Sequence, residues 1–264
     1  MRQVGTEELK KIQLEILDCV HAFCIKNNIN YWLDSGTLIG AVRHKGYIPW
    51  DDDIDLGMLR EDYERFLKLF NDSNDKYKCY SIENNDCFYY PFAKVLDTST
   101  ILYEPDEKGN VLCINIDIFP YDKIPEEKRQ AIKVYRRRNR LQRMRSLALH
   151  SAHSGNAIRR FGILLVSIPF KFFPKGFFDK KIVENALSSK DSVSHAIGNL
   201  TSREIVFSDD SVFSSFVDVE FEGKMYKAPV GYDKWLRDFY GDYLSLPPAD
   251  KRKSHHIFKA YIKE

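Results

Sequence analysis

Four aspartates fall within five residues in the segment Pro49-Trp50-Asp51-Asp52-Asp53-Ile54-Asp55-Leu56-Gly57. Read as an extended strand, it turns Asp51, Asp53 and Asp55 to one face and Ile54 and Leu56 to the other, because successive side chains alternate. The apolar face can pack on helices. The acidic face gathers like charges whose repulsion grows with burial. A divalent cation relieves that conflict: Mg2+, with Mn2+ as the alternative, takes a few carboxylates together with waters and the oxygens of a substrate phosphate. A second segment, Ile114-Asn115-Ile116-Asp117-Ile118-Phe119, holds a lone carboxylate in an apolar strand with Asn115 on its face. Such a group is costly without a partner. If the two strands are neighbours, Asp53, Asp55 and Asp117 form a three-carboxylate site for one or two metal ions, one activating an attacking oxygen and one stabilising the leaving oxygen.

Two plainer readings compete. A run of aspartates is commonly a solvated turn, but the apolar residues around this one and the matching Asp117 segment weigh against that. A calcium loop would use Asp51, Asp53, Asp55 and Asp62 as positions one, three, five and twelve. It fails at Leu56, where the sharp turn needs Gly, and at Asp62, where a bidentate Glu is expected.

Upstream, Asp34-Ser35-Gly36-Thr37 precedes a helical pattern. Gly36 lets the backbone approach a ligand, Thr37 is suited to capping, and the free N–H groups of a helix start attract an anion. Arg43, His44 and Lys45 lie between this turn and the acidic strand, where they can neutralise phosphate oxygens. Each reads equally well as a solvated helix end. Asp51, on the same face as the pair, and Asp34 are candidates for a general base. Lys94, Tyr232 and His255 complete the candidate substrate- or nucleotide-binding set. His255, with His256 and Lys251-Arg252-Lys253, can reach back to donor phosphates, whereas Tyr232, Trp235 and Tyr240 read more simply as the core face of a helix.

The elements that must position these residues are legible in outline. Thr6, Glu7 and Glu8 give a cap and an acidic first turn, and Leu9, Ile12, Ile16, Val20 and Phe23 recur at helical spacing until Asn27-Asn28. Tyr31–Leu33 reads as a short strand, Leu38–Arg43 as a helix, Ile54–Met58 as a strand and Asp62–Phe70 as a helix. Tyr89–Leu102 and Val111–Phe119 alternate as strands around a turn-rich stretch with Pro105, Gly109 and Asn110. Glu126–His150 is a long basic helical stretch, Phe161–Phe178 is apolar and aromatic, and Tyr232–Tyr240 is a helix stopped by Gly241 and Pro247-Pro248.

With 264 residues, 44% hydrophobic and 30% charged, the chain has the balance of a soluble globular protein that needs no disulfide or structural metal to fold. Net charge of +2 gives no argument for nucleic acid as a partner. Cys19, Cys24, Cys79, Cys87 and Cys113 are odd in number and unpatterned, as expected of reduced core cysteines. The start of the chain lacks the apolar run of a secretory signal, and the Phe161–Phe173 stretch is too short to span a bilayer. A cytoplasmic protein is expected.

Taken together, the run Tyr31–Gly46 and its continuation Ile48–Gly57 resemble the LicD family of the nucleotidyltransferase superfamily, which includes DNA polymerase β. Ile116-Asp117-Ile118-Phe119-Pro120, Tyr240-Gly241-Asp242-Tyr243 and Leu246-Pro247-Pro248 agree with it. The resemblance covers about residues 28–125 and 228–256 and implies an α+β fold. Its core would be a nucleotidyltransferase (DNA polymerase β-like) mixed sheet, with a helical insertion over about 126–225 and a helical C-terminal part, all in one domain spanning 1–264. It also implies a Mg2+-dependent phosphocholine-type transferase acting on cell-surface glycans; fukutin-type proteins that handle ribitol phosphate belong to the wider group. The implied donor is CDP-linked, such as CDP-choline, and the implied acceptor is a sugar hydroxyl of a glycan or its lipid-linked precursor.

On this reading Asp53, Asp55 and Asp117 hold metal across the donor pyrophosphate, the acceptor hydroxyl attacks the distal phosphorus, and CMP leaves. Two other functions use the same fold: passing a nucleoside monophosphate to a small acceptor with release of pyrophosphate, and non-catalytic binding at a membrane. The basic residues Lys128, Arg129, Lys133, Arg136, Arg137, Arg138, Arg140, Arg143 and Arg145 read either as a solvated helix face or, joined to the aromatic stretch after Phe161, as a surface for an anionic membrane. The second use would place the protein at the inner face of the cytoplasmic membrane.

Overall fold

A computed structural model describes residues 1–103, 111–149, 163–190, 192, 194–202, 206–252 and 258–263. The turn-rich stretch around Pro105 and Gly109, the Arg159–Phe161 end of the aromatic stretch, and His255 with His256 lie outside the described residues.

A mixed sheet organises the chain. Its centre is β8 (Asn115–Ile124), which pairs in parallel with β3 (Asp55–Leu59). The other edge of β8 takes β5 (Ala93–Asp97) along its first half and β9 (Ala196–Asn199) along its second, both antiparallel. Outward from these lie β2 (Trp32–Leu33) on β3, β4 (Tyr77–Tyr80) on β5 and β10 (Val206–Asp209) on β9. A smaller sheet runs in the order β1 (Arg2–Val4), β13 (Lys259–Ile262), β6 (Thr100–Tyr103), β7 (Val111–Leu112). The hairpin of β11 (Phe216–Phe221) and β12 (Lys224–Pro229) stands apart from both sheets.

Helix α1 (Thr6–Asn27) buries Leu9, Ile12, Ile16, Leu17, Val20 and Cys24 against β5 and β8, the stripe that its 3.6-residue period dictates. Its N-cap is Gly5 rather than Thr6, and the left-handed Asn28 ends it. Helices α2 (Ser35–His44) and α3 (Arg60–Leu69) pack on β3. Both begin earlier than their apolar periodicity indicates, because polar first turns carry no hydrophobic signal.

The 126–225 region departs from a helical insertion. It does contain α4 (Lys128–Leu149) and α5 (Phe177–Leu187), packed on each other. It also contributes β9 and β10, which extend the central sheet, and β11 with the first two residues of β12. Strand β9 is short and polar, Ala-Ile-Gly-Asn, and a hydrogen-bonding neighbour rather than hydrophobic alternation makes it a strand. Nor is the C-terminal part wholly helical: α6 (Tyr232–Tyr240) is followed by β13, which bridges β1 and β6.

Candidate active site

The two aspartate segments meet as their sequences require. In the parallel β3–β8 ladder Asp55 lies opposite Asp117, and the Asp117 N–H donates to the Ile54 carbonyl at 2.9 Å. Opposed residues on adjacent strands project to the same face, about 5 Å apart. The alternation drawn for Asp51 and Asp53 does not survive, however. Strand β3 starts at Asp55; Asp53 lies in the irregular lead-in, and the Asp51 N–H closes a turn onto the Ile48 carbonyl at 2.9 Å. The chain is descending from the end of α2 here and becomes extended only where β8 supplies a ladder.

Asp55 is the focus of the charge. Burial first, then the charges of Asp53, Asp117, Asp34 and Asp51, hold its carboxyl well above the ordinary carboxylate range. Its backbone is fixed from both sides. The Asp55 N–H donates to the Thr37 hydroxyl at 2.9 Å, and the Asp55 carbonyl accepts from the Asp34 N–H at 2.9 Å. Thr37 is therefore no cap; the N-cap of α2 is Asp34, and Thr37 clamps the metal-ligand candidate. Gly36 faces Asp51, since a Cβ there would lie 2.8 Å from Asp51 Oδ2. This places the Asp51 carboxylate against the first turn of α2, where the helix dipole favours negative charge.

Asp34 lies beneath the site, not in it. It is 1% exposed and accepts the Tyr121 hydroxyl at 2.5 Å. Burial raises its carboxyl above the usual range, against the lowering effect of that hydrogen bond. Arg43, His44 and Lys45 stand at the far end of α2, roughly 10–14 Å along the helix from Gly36. Arg43 donates to His44 Nε2 at 2.9 Å and to the Tyr243 carbonyl at 2.7 Å, and Lys45 is the left-handed C-cap. Burial, then the Arg43 charge, lowers the His44 imidazole. Tyr232 opens α6 and packs half-buried against the core, as its simpler reading holds.

Lys94 faces Asp117 directly across the β5–β8 pair. Its Nζ donates to Asp117 Oδ1 at 2.6 Å and to Asn115 Oδ1 at 3.2 Å. Asp53, Lys94, Asn115 and Asp117 open into a cavity of about 240 Å3, walled by Tyr90, Phe92 and Phe258. A larger cavity, about 710 Å3, lies elsewhere, between the start of α4, β9–β10 and α6. It opens beside Ile124, roughly 23 Å along β8 from Asp117, and no charge cluster of the kind around Asp55 lines it.

Two contributors escape a reading of the sequence. Gln13 of α1 donates to the Asp52 carbonyl at 3.0 Å and the Asn115 carbonyl at 3.3 Å, tying the acidic loop to β8. Its signal is a polar residue inside the buried stripe of α1. Tyr121, the partner of Asp34, follows the Asp117 motif by four residues and looks like ordinary core.

The donor set fits a hard divalent cation. The crowding on Asp55 demands positive charge, and Asp53, Asp55, Asp117 and Asn115 offer only oxygen. Among the described residues no three acidic, His or Cys side chains close into a ready-made cage.

Comparison with known proteins agrees with this architecture. A family profile described as LicD/FKTN/FKRP, nucleotidyltransferase domain, matches residues 28–154. A lipopolysaccharide cholinephosphotransferase, LicD, of Haemophilus influenzae is 32% identical over 267 residues, covering 99% of this chain and 100% of that protein. An uncharacterised protein of Rickettsia typhi is 35% identical over 137 residues, 52% of this chain and 43% of its own length. The human ribitol 5-phosphate transferase FKRP is 56% identical over 34 residues, 13% of this chain and 7% of its own. An end-to-end likeness to the first of these, joined to the family profile over the carboxylate strands, places the chain in the LicD family, as a phosphotransferase.

Proposed function

We propose that this protein transfers phosphocholine, or a related alcohol phosphate, from a CDP-linked donor to a sugar hydroxyl of a cell-surface glycan or its lipid-linked precursor, on a nucleotidyltransferase-type core. The observation that carries the reading is the Asp55–Asp117 pairing with Asp53 beside it, in a chain alike over its full length to a lipopolysaccharide cholinephosphotransferase. A bound Mg2+ would neutralise the donor pyrophosphate. Asp53 and Asp55 hold that charge in place, and Thr37 and Asp34 fix the Asp55 backbone so that it need not reorganise during transfer. A bond forms from the acceptor oxygen to the phosphorus bearing the choline, and the bond from that phosphorus to CMP breaks. The hydroxyl proton goes to Asp51, because the competing base, Asp34, is buried under Tyr121.

The test is incubation with CDP-choline, CDP-ribitol, CDP-glycerol and UDP-sugars, Mg2+ and a glycan acceptor, with nucleotide products resolved. CMP release is expected from a CDP-alcohol and its loss in Asp53→Asn and Asp55→Asn, both still folded. Release of pyrophosphate from a nucleoside triphosphate would favour nucleotidyl transfer instead. Substantial activity in either variant would sink the site assignment.

The same reading extends to an anionic membrane, since a lipid-linked acceptor lies there. In support, Leu165, Val166, Ile168 and Phe172 are exposed beside α4, on which the 168–172 segment packs. No helix among the described residues is long and apolar enough to cross a membrane.

A further inference from the structure

Three carboxylates on two adjacent strands invite two metal ions, and the position of Lys94 argues against the second. We propose that Lys94 permanently fills the place of a second divalent cation, so that the protein binds one metal ion, on Asp53 and Asp55, beside a built-in ammonium on Asp117. This rests on the metal reading of the carboxylates given above.

The ammonium is part of the framework, not a surface side chain swinging in. Lys94 is 7% exposed and sits on β5 in direct register with Asp117. Its Nζ contacts Asp117 Oδ1 at 2.6 Å and Asn115 Oδ1 at 3.2 Å, and lies 5.0 Å from the Tyr90 ring centroid and 5.5 Å from that of Phe92. Two oxygens and two aromatic faces therefore surround one positive charge, and each favours a cation. Burying a lysine charge is costly unless it is met in this way.

Sterics and charge both oppose a second ion at that oxygen. A divalent ion on Asp117 would need an oxygen at about 2.1 Å, and paired ions in two-metal sites stand about 3.5–4 Å apart. An ammonium 2.6 Å from Asp117 Oδ1 occupies that approach to the oxygen. Asp117, its charge met by Lys94, adds a single remaining oxygen at most, and Asp53 and Asp55 are left for one ion.

The experiment counts bound Mn2+ by following the EPR signal of the free ion, without nucleotide, so the result does not depend on which donor is used. One Mn2+ per chain is expected for the wild type, two for Lys94→Gln, which frees Asp117 and Asn115, and one for Lys94→Gln combined with Asp117→Asn. Lys94→Arg, which keeps the charge, is expected to bind one. Two ions on the wild type, or one on a Lys94→Gln variant with native circular dichroism, overturns the inference and leaves the metal site standing. If Lys94→Gln does not fold, the wild-type and Lys94→Arg counts decide: one in both supports the inference, and two in either overturns it. No bound Mn2+ on the wild type overturns the metal reading and this inference together.

Discussion

At the scale of single residues, the site depends on groups that touch no substrate. Thr37 spends its hydroxyl on the Asp55 N–H, holding the strand start that aims the Asp55 carboxylate. Thr37→Val keeps the volume and removes the acceptor. It is expected to cost about 1 kcal/mol of stability and to lower kcat about tenfold, about 1.4 kcal/mol, with KM for the donor little changed. Thr37→Ser should restore the rate; a parallel loss in Thr37→Ser, or a change confined to KM, would show that the hydroxyl does something else. The acids themselves were legible because a carboxylate among apolar residues advertises its need for a partner. Gln13, Tyr121 and the pairing of Lys94 with Asp117 were not, because each takes its meaning from a residue far off in the chain, as with Gln13 and Asn115, separated by 102 positions.

At the scale of elements, β3 is held flat against its neighbour by an absent side chain. Trp32 of β2 lies opposite Gly57, and a Cβ at Gly57 would come within 2.3–2.5 Å of three atoms of the indole. Trp32 is fully buried and also packs on Tyr121 and Phe213, so it has nowhere to retreat. Gly57→Ala is expected to destabilise the fold by about 1–3 kcal/mol, read from urea denaturation followed by Trp fluorescence. An unchanged midpoint would mean that β2 and β3 separate without cost. The strands that carry the acids were legible in outline from alternation, whereas the β3–β8 adjacency stood in the sequence only as the condition for a three-carboxylate site. Strands β9 to β12 were not. Strand β9 carries no two-residue hydrophobic rhythm and is a strand because the second half of β8 offers an open edge, whereas β11 does alternate, with Val217, Val219 and Phe221 around Asp218 and Glu220, a short signal beside the stronger basic and aromatic stretches.

At the scale of the whole molecule, a basic row and exposed apolar side chains stand together on one part of the surface. Helix α4 has nine basic residues and no acid, but they do not all face water. Arg145 is bound to Asp179 of α5 at 2.5 Å and Arg138 is buried, while Arg129, Lys133, Arg136, Arg137, Arg140 and Arg143 are exposed. Beside them Phe172 is 84% exposed. Vesicles containing phosphatidylglycerol are expected to pellet the protein at low salt, with binding lost in 0.5 M NaCl and weakened by Phe172→Ser, because attraction to an anionic surface is screened while apolar insertion adds to it. Recovery of all the protein in the supernatant with anionic vesicles would remove the membrane reading. The basic stretch was visible in composition alone, but its division into a buried Arg138 beside Ser202, a half-buried Arg145 against α5 and an exposed row required the packing around α4.

The small sheet carries a consequence for how the protein is made. Strand β13 is hydrogen-bonded to β1 on one side and to β6 on the other, and Phe258, just before it, walls the same cavity as Leu9 of α1, Asp53 and Asp117. Residues 2–4 thus wait for residues 260–262, nearly the full span of the chain, before that sheet can form. A nascent chain emerging from the ribosome will hold its carboxylates, its ammonium and their strands while β1 and β6 still present bare edges, prone to pairing with the wrong chain. The cavity wall is completed by Phe258, far downstream of Asp117 in the chain, so a chain cut between Asp117 and Phe258 keeps every acid of the site and lacks that part of the enclosure around them.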